Sequence, residues 1–333
     1  MAATDPLAGQ DITVLRTRDA CVRALRDPAL GSNPGGPAAE SGNLLFSDGP
    51  EHARVRAVVR EVIARIEPLP GEVRRAIEDA VGALSGEFDL VDDFARPVAS
   101  LVTTAMLGAG PLDARFLRDL EATTANLDVW FGGSGAARGA ETAALRVAMF
   151  FLRAEAVPGG GLELLRAARD AGRLTDDELT LTPGVLAHAA YENSRNFLAV
   201  AGLRMAGEPD LVAALRAGGA AVVRRLAGEI CPTRVVLRRA LEPVTLPDVA
   251  IEAGAKVAVP LGPVAEVPGS AGAAFGLGRH ACPGSGVAIA EAEVALRALA
   301  QVFADGATPG PPQWRPHPAF HGLTHAPVTT PLV

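Results

Sequence analysis

Apolar residues recur at helical spacing along most of the chain. In EHARVRAVVREVIARI, Glu51–Ile66, they fall at Val55, Val58, Val59, Val62, Ile63 and Ile66, one stripe of a 3.6-residue period. The same period predicts helices over Arg18–Arg26, Gly71–Leu84, Leu101–Leu107, Ala114–Leu127 and Glu141–Arg153. VPGGG at Val157–Gly161 predicts a break, and GSNPGGPAAES at Gly31–Ser41 predicts a loop. In LTDDEL, Leu174–Leu179, Thr175 stands where a helix cap belongs and acids fill the first turn. A long apolar helix is expected to follow Pro183 and to reach about Met205. From Val235 the pattern turns alternating and β-branched, punctuated by Pro and Gly, which predicts short strands and turns over 235–265. A last helical stripe runs through Ile289, Ala292, Leu296, Leu299 and Phe303, and 312–333 returns to strand and turn. The expected fold class is mainly α with small β-sheets, with 1–333 folding as a single domain.

Composition narrows the function classes. The chain is 49% hydrophobic and 21% charged, enough for a large core, and its Ala- and Leu-rich segments favour helix. No apolar run reaches the length of a membrane span, and MAATDPLAGQDITVL lacks the basic start and apolar stretch of a signal peptide. The expectation is a cytoplasmic protein with no membrane partner. A net charge of −7 and the lack of a basic tract argue against nucleic acid. The three cysteines, Cys21, Cys231 and Cys282, suit a reducing compartment. They show no zinc spacing: His280 and Cys282 have no second ligand pair nearby.

The most specific chemistry lies in FGLGRHACPG, Phe275–Gly284. Gly276 and Gly278 let backbone approach a flat ligand closely. Cys282 stands just before a helix N-terminus, whose positive end favours thiolate over thiol. Backbone N–H groups of such a loop can tune the sulfur, and Arg279 and His280 can neutralise carboxylates on a cofactor rim. The competing reading of an isolated cysteine is a small buried hydrophobe.

This stretch closely resembles the haem-binding signature of cytochromes P450, with every fixed position filled: Phe275, Gly276, Gly278, His280, Cys282 and Gly284. The resemblance implies haem b as cofactor, with the Cys282 thiolate as axial iron ligand and as the donor that favours O–O cleavage. It extends over most of the chain and implies a shortened P450-like fold. DGPEHARVR, Asp48–Arg56, is similar to the family's segment over one haem edge, which makes His52 and Arg56 propionate partners; they lie four apart, on one helical face. A solvated polar face is the alternative for that pair. CPTRVVLRRALEPVTL, Cys231–Leu246, resembles the segment that makes Arg238 the second-edge propionate partner. WRPHPAFHGLTHAPV, Trp314–Val328, resembles the terminal hairpin that dips toward substrate.

Above the iron the family usually carries Ala-Gly-x-acid-Thr; this chain reads Ala189, Ala190, Tyr191, Glu192, Asn193, Ser194. By resemblance Glu192 and Asn193 belong to the proton relay, although an amide is a poor proton shuttle. The other reading is a polar break in a core helix. Tyr191, the one tyrosine of the chain, is expected in the pocket wall. The family's Glu-x-x-Arg positions fall on Arg225 and Gly228, so that motif is absent. Glu192-x-x-Arg195 has the letters but stands in another helix. The connection from Pro260 to Phe275 is short where the family has a meander.

The leading function is monooxygenation or oxidative coupling of a small molecule, free or bound to a carrier protein, within bacterial specialised metabolism. A ferredoxin or a flavodoxin would supply electrons to a basic face, with Arg54, Arg60 and Arg297 as candidates. Two alternatives remain: a haem-thiolate enzyme that uses peroxide or rearranges its substrate, and a P450-like auxiliary protein without redox chemistry, such as a glycosyltransferase partner.

Overall fold

The computed structural model describes residues 11–33, 43–124, 137–262, 274–317 and 319–331, without the side chains of 137 and 138. The expected Gly31–Ser41 loop lies outside these residues from 34 onward, as does most of the Pro260–Phe275 connection.

The helices are α1 (Arg18–Arg26), α2 (Gly49–Ala64), α3 (Gly71–Gly82), α4 (Arg96–Leu107), α5 (Ala114–Ala122) and α6 (Ala137–Arg153). They continue with α7 (Gly161–Asp170), α8 (Asp176–Gly207), α9 (Pro209–Ala217), α10 (Ala220–Ile230) and α11 (Ser285–Val302). No described helix is long and apolar enough to cross a membrane.

The stripes are what the helices bury. Val55, Val58, Val59, Val62 and Ile63 of α2 face the main core, as do Ala292, Leu296 and Leu299 of α11. The Thr175 hydroxyl accepts from the Glu178 N–H at 3.1 Å while the Glu178 carboxylate accepts from the Thr175 N–H, a reciprocal cap that starts α8. This corrects the expected start at Pro183. The helix begins at Asp176 and runs through the proline, which forgoes only its own hydrogen bond to the Leu179 carbonyl.

Three further helices, α7, α9 and α10, were hidden from the periodicity. α7 starts on Gly161, the last residue of VPGGG. A Cβ on Gly161 would stand 2.5 Å from the Met106 carbonyl oxygen and 2.7 Å from a Val62 methyl, so these glycines let α7 close on α4 and α2 rather than ending order. α9 follows α8 through Pro209 at its first turn.

Strands β1 (Ile12–Val14) and β2 (Leu30–Gly31) were not expected; they join β4 (Val235–Ala240) and β7 (Lys256–Pro260) in the order β1-β7-β4-β2. β1 runs parallel to β7, with Thr13 opposite Val257, and β4 is antiparallel to β7, with Leu237 opposite Ala258. Strands of two or three residues carry too little period to be read. β3 (Glu87–Asp89), also unexpected, pairs with β11 (Pro327–Thr329), which pairs with β8 (Thr308–Pro309). β5 (Val244–Leu246) and β6 (Val249–Ile251) form a hairpin, as do β9 (Gln313–Trp314) and β10 (Leu323–His325). The β4–β7 sheet and α1 bury a second core containing Leu15, Leu25, Leu30 and Val257. A cavity opens between α8, α11, β4 and the loop ahead of α11.

The close approach at Gly161 gives a stability test. Gly161→Ala should lower the unfolding free energy by about 1–3 kcal/mol, read from urea unfolding. An unchanged midpoint would show that α7 does not pack this tightly on α4.

Candidate functional site

The loop before α11 is held from both ends. Gly276 (φ 67°) and Gly278 (φ 72°) lie in the left-handed region. A Cβ on Gly278 would meet the Leu25 carbonyl oxygen at 2.5 Å, so this position also needs glycine to pass the end of α1. The Cys282 N–H closes the loop onto the Phe275 carbonyl at 2.7 Å.

Asp48 clasps the loop to the N-terminal part of the chain. It precedes α2 at the cap position, yet its side chain makes no capping bond. Instead Oδ1 accepts from Arg279 Nε at 3.0 Å and lies 2.9 Å from His280 Nε2, while Oδ2 accepts from the Ser32 N–H at 2.7 Å. Burial alone would raise its pKa, but His280, the Ser32 N–H and Arg279 together hold the carboxyl well below the usual carboxylate range. Arg279 also donates to the Asp27 and Leu30 carbonyls, at 3.1 and 2.8 Å. Arg279 is therefore a strut of the loop, not the rim cation expected for it.

The loop delivers Cys282 to a cavity of about 290 Å³. Protein surrounds the cysteine, while its sulfur keeps accessible surface toward the cavity. Burial pushes the thiol up, and the Gly284 N–H and the Arg56 guanidinium pull it back only in part. Cys21 and Cys231 are buried, their thiols raised by burial to about 11 and about 12. Among the three, Cys282 alone faces open space.

Asn193, Arg238, Phe275, Gly276, His280, Cys282 and Gly284 all line the cavity. His52 and Arg56 of α2 stand beside it: the His52 ring lies 4.2 Å from that of His280, and Arg56 Nη2 donates to the Ala281 carbonyl. Gly278 supports the wall from behind.

The cations show what the cavity would hold. Arg238 is 7% exposed, and among the described residues its hydrogen bond goes to the carbonyl of its neighbour Leu237, at 2.8 Å. Burial lowers it to about 10. No described carboxylate pairs with Arg238 or Arg56, and His52 Nε2 is buried without a partner. Burial also lowers both imidazoles, His52 to about 4, so they stay neutral near pH 7. Among the described residues, three guanidiniums, Arg56, Arg238 and Arg279, stand here against one paired carboxylate, Asp48, a surplus of two positive charges. A buried charge without a counter-ion is costly. A ligand with two carboxylates and a metal that takes one thiolate would balance the site. Haem has both, and these residues fit it.

Opposite the cysteine, α8 presents Ala189, Ala190, Asn193 and Ser194 to the cavity. Asn193 Oδ1 accepts from the Thr233 hydroxyl at 2.7 Å, and its Nδ2 donates to the Ala189 carbonyl at 3.1 Å. Glu192 does not join it. It is fully buried on another face of α8, where Oε1 accepts from Arg195 (3.1 Å), Asn196 (3.0 Å) and Arg315. Burial would raise its pKa, but Arg195, Arg315 and His188 hold it lowered. Tyr191 is likewise turned from the cavity, its hydroxyl donating to Glu121 at 2.7 Å. Nor does the terminal hairpin supply any described residue to the wall; its Arg315 reaches Glu192 instead.

Two residues at the site carried no role in the sequence reading: Asp48, seen there only as the first residue of the Asp48–Arg56 segment, and Glu291, which is buried in α11 and lines the cavity.

No family model matches the chain. Among curated proteins it is 31% identical to cytochrome P450 monooxygenase PikC of Streptomyces venezuelae, over 87% of this chain and 76% of that protein. It is 30% identical to 6-deoxyerythronolide B hydroxylase of Saccharopolyspora erythraea, over 86% of this chain and 77% of that protein. Among solved structures, a ligand-free P450 of Mycobacterium smegmatis superimposes with a TM-score of 0.82 at 25% identity, over 96% of this chain and 91% of the other.

The clasp carries a pH signature. Asp48 has a depressed folded pKa, so its contribution to stability is complete above the unfolded value of about 4 and is lost as pH falls through the folded one. Asp48→Asn should cost about 1–3 kcal/mol in urea unfolding at neutral pH, with the deficit shrinking in acid. A deficit independent of pH would show that no ionised clasp exists.

Proposed function

The chain belongs to the cytochrome P450 superfamily as an oxidoreductase, and from that premise we propose that it is a monooxygenase of a hydrophobic small molecule in bacterial specialised metabolism. The observation that carries the reading is Arg238, buried in the wall of the Cys282 cavity and paired with no described carboxylate. When bound, haem would supply the redox-active iron at which O2 is activated.

The chain's own residues do the rest. Cys282 provides the thiolate ligand, and the Gly284 N–H at its sulfur moderates its donor strength. Arg238, Arg56, His52 and His280 hold the two propionates. Asp48 and Arg279 keep the loop in place. Leu186, Ala189, Ala190, Val102 and Met106 give an apolar wall that favours an apolar substrate and keeps bulk water out. Asn193 takes the place of the family's threonine and holds its position through Thr233 and Ala189, so it orients a hydrogen bond without releasing a proton. Glu192 serves as counter-charge to Arg195 and Arg315.

The substrate, free or on a carrier protein, enters on the α8 side. A ferredoxin or flavodoxin in the cytoplasm delivers electrons from the cysteine side. Of the candidate docking cations, Arg54 is held in a two-point pair with Glu178 at 2.7 and 2.8 Å. Arg60 and Arg297 are exposed, so they are the better contacts. An auxiliary role without haem would leave Arg238 buried with no counter-ion.

Turnover with a ferredoxin system under isotopically heavy O2 should place one heavy oxygen atom in the product. Cys282→Ser should abolish that turnover. Product formed only from added peroxide would move the assignment to a peroxide-using enzyme. Unchanged turnover in Cys282→Ser would exclude thiolate chemistry.

A further inference from the structure

We propose that α6 is the contact face of a homodimer: its exposed side packs on the same side of a second copy of this chain, about a two-fold axis. The inference does not depend on haem. An amphipathic helix needs one apolar stripe, the one that it buries. α6 has two. Ala140, Ala143, Val147 and Phe151 form the inner stripe, buried where the helix packs on α5 and α8. Leu145, Met149 and Leu152 form the outer one, and Leu145 is 66% exposed. Among the described residues seven large apolar side chains are exposed, and four of them, these three with Val157, fall on this one stretch. Such a concentration marks an interaction surface.

The charges on that side say which partner fits. Glu141, Leu145, Met149 and Arg153 stand four apart, so they form one ridge along α6. The ridge reads acid, apolar, apolar, base, and is therefore complementary to its own reverse. A two-fold axis at its midpoint sets Leu145 against Met149 of the second copy, and Glu141 against Arg153 of the second copy, twice over. Neither Glu141 nor Arg153 makes an ion pair among the described residues. Arg146, the other cation of this stretch, is already taken: its Nε donates to Asp119 at 2.8 Å.

The surroundings allow the approach. Ala144 and Ala148, half-buried beside the ridge, are small enough to let a second helix come close. Leu145, Met149 and Arg153 also border a groove shared with Pro111 and Phe116, which can take side chains of the second copy. A partner of one charge sign would meet repulsion at one end of the ridge, whereas a reversed copy meets none. Exposed ion pairs add little affinity, so Leu145 and Met149 hold the dimer and the end charges choose its register. No described residue of α6 lines the Cys282 cavity, so the contact leaves that wall intact.

Sedimentation equilibrium of the full chain over a concentration series tests the proposal. The particle should pass from one chain to two as concentration rises. The three side chains to be changed are exposed, so the variants keep the fold. Leu145→Glu should raise the dimer dissociation constant at least about tenfold. Glu141→Arg and Arg153→Glu should each raise it about threefold or more, by setting like charges opposite one another. The double reversal should return it to the wild-type value, and an equal mixture of the two single variants should form the mixed dimer in preference to either homodimer. A monomer at every concentration overturns the proposal, as does a dimer indifferent to Leu145→Glu. A dimer weakened by both single reversals but not restored by the double one also overturns it, because it excludes this register.

Discussion

A guanidinium buried beside an open thiol, with no described carboxylate paired to it, is the constraint on which the site depends. Among the described residues, Arg238 leans on one backbone carbonyl and Arg56 on that of Ala281. The nearest carboxylate, Asp48, is already shared by Arg279, His280 and the Ser32 N–H. Burying such charge costs several kcal/mol per ion unless something anionic arrives. The cavity wall is therefore complete only with a dianionic ligand that also meets Cys282. The glycine loop, the Asp48 clasp and the neutral imidazoles follow from the same need: they place cations and sulfur around one flat group.

The family's Glu-x-x-Arg positions fall on Arg225 and Gly228 of α10, where Arg225 makes an exposed pair with Glu229 instead of a buried one. A buried acid-and-arginine cluster does exist, but in α8: Glu192 with Arg195, closed by Arg315 from the terminal hairpin and flanked by Glu121, Tyr191 and Arg96. It ties the central helix to α5 and to the hairpin. Glu192 is engaged in that tie and does not reach the cavity. The chain has thus shifted where its buried charges are placed.

Most of the helical frame was legible in the sequence, because amphipathic stripes such as Val55 to Ile66 and Ile289 to Phe303 are long enough to show a period. The cap at Thr175 was legible from its own side chain and the acids after it, though not the reciprocal bond from Glu178. What stayed hidden was set by tertiary contact. Gly161 reads as a breaker until the Met106 carbonyl is seen against it. β1 and β2 are too short to reveal themselves without β7 and β4. In the site, Cys282, His280 and Arg238 could be placed because they sit at fixed offsets in a recognisable motif. Tyr191 and Glu192 could not be oriented, since one residue of helical rotation decides whether a side chain meets the cavity or the core. Glu291 carried no local signal at all: its burial beside Ser194 comes from the packing of α11 on α8.

The most direct measurement is the absorption spectrum of the purified, haem-reconstituted protein after reduction under carbon monoxide. The account predicts the long-wavelength band of thiolate-ligated haem at about one haem per chain. A protein that refuses haem, or a reduced spectrum with only the short-wavelength band of a nitrogen-ligated iron, would contradict it.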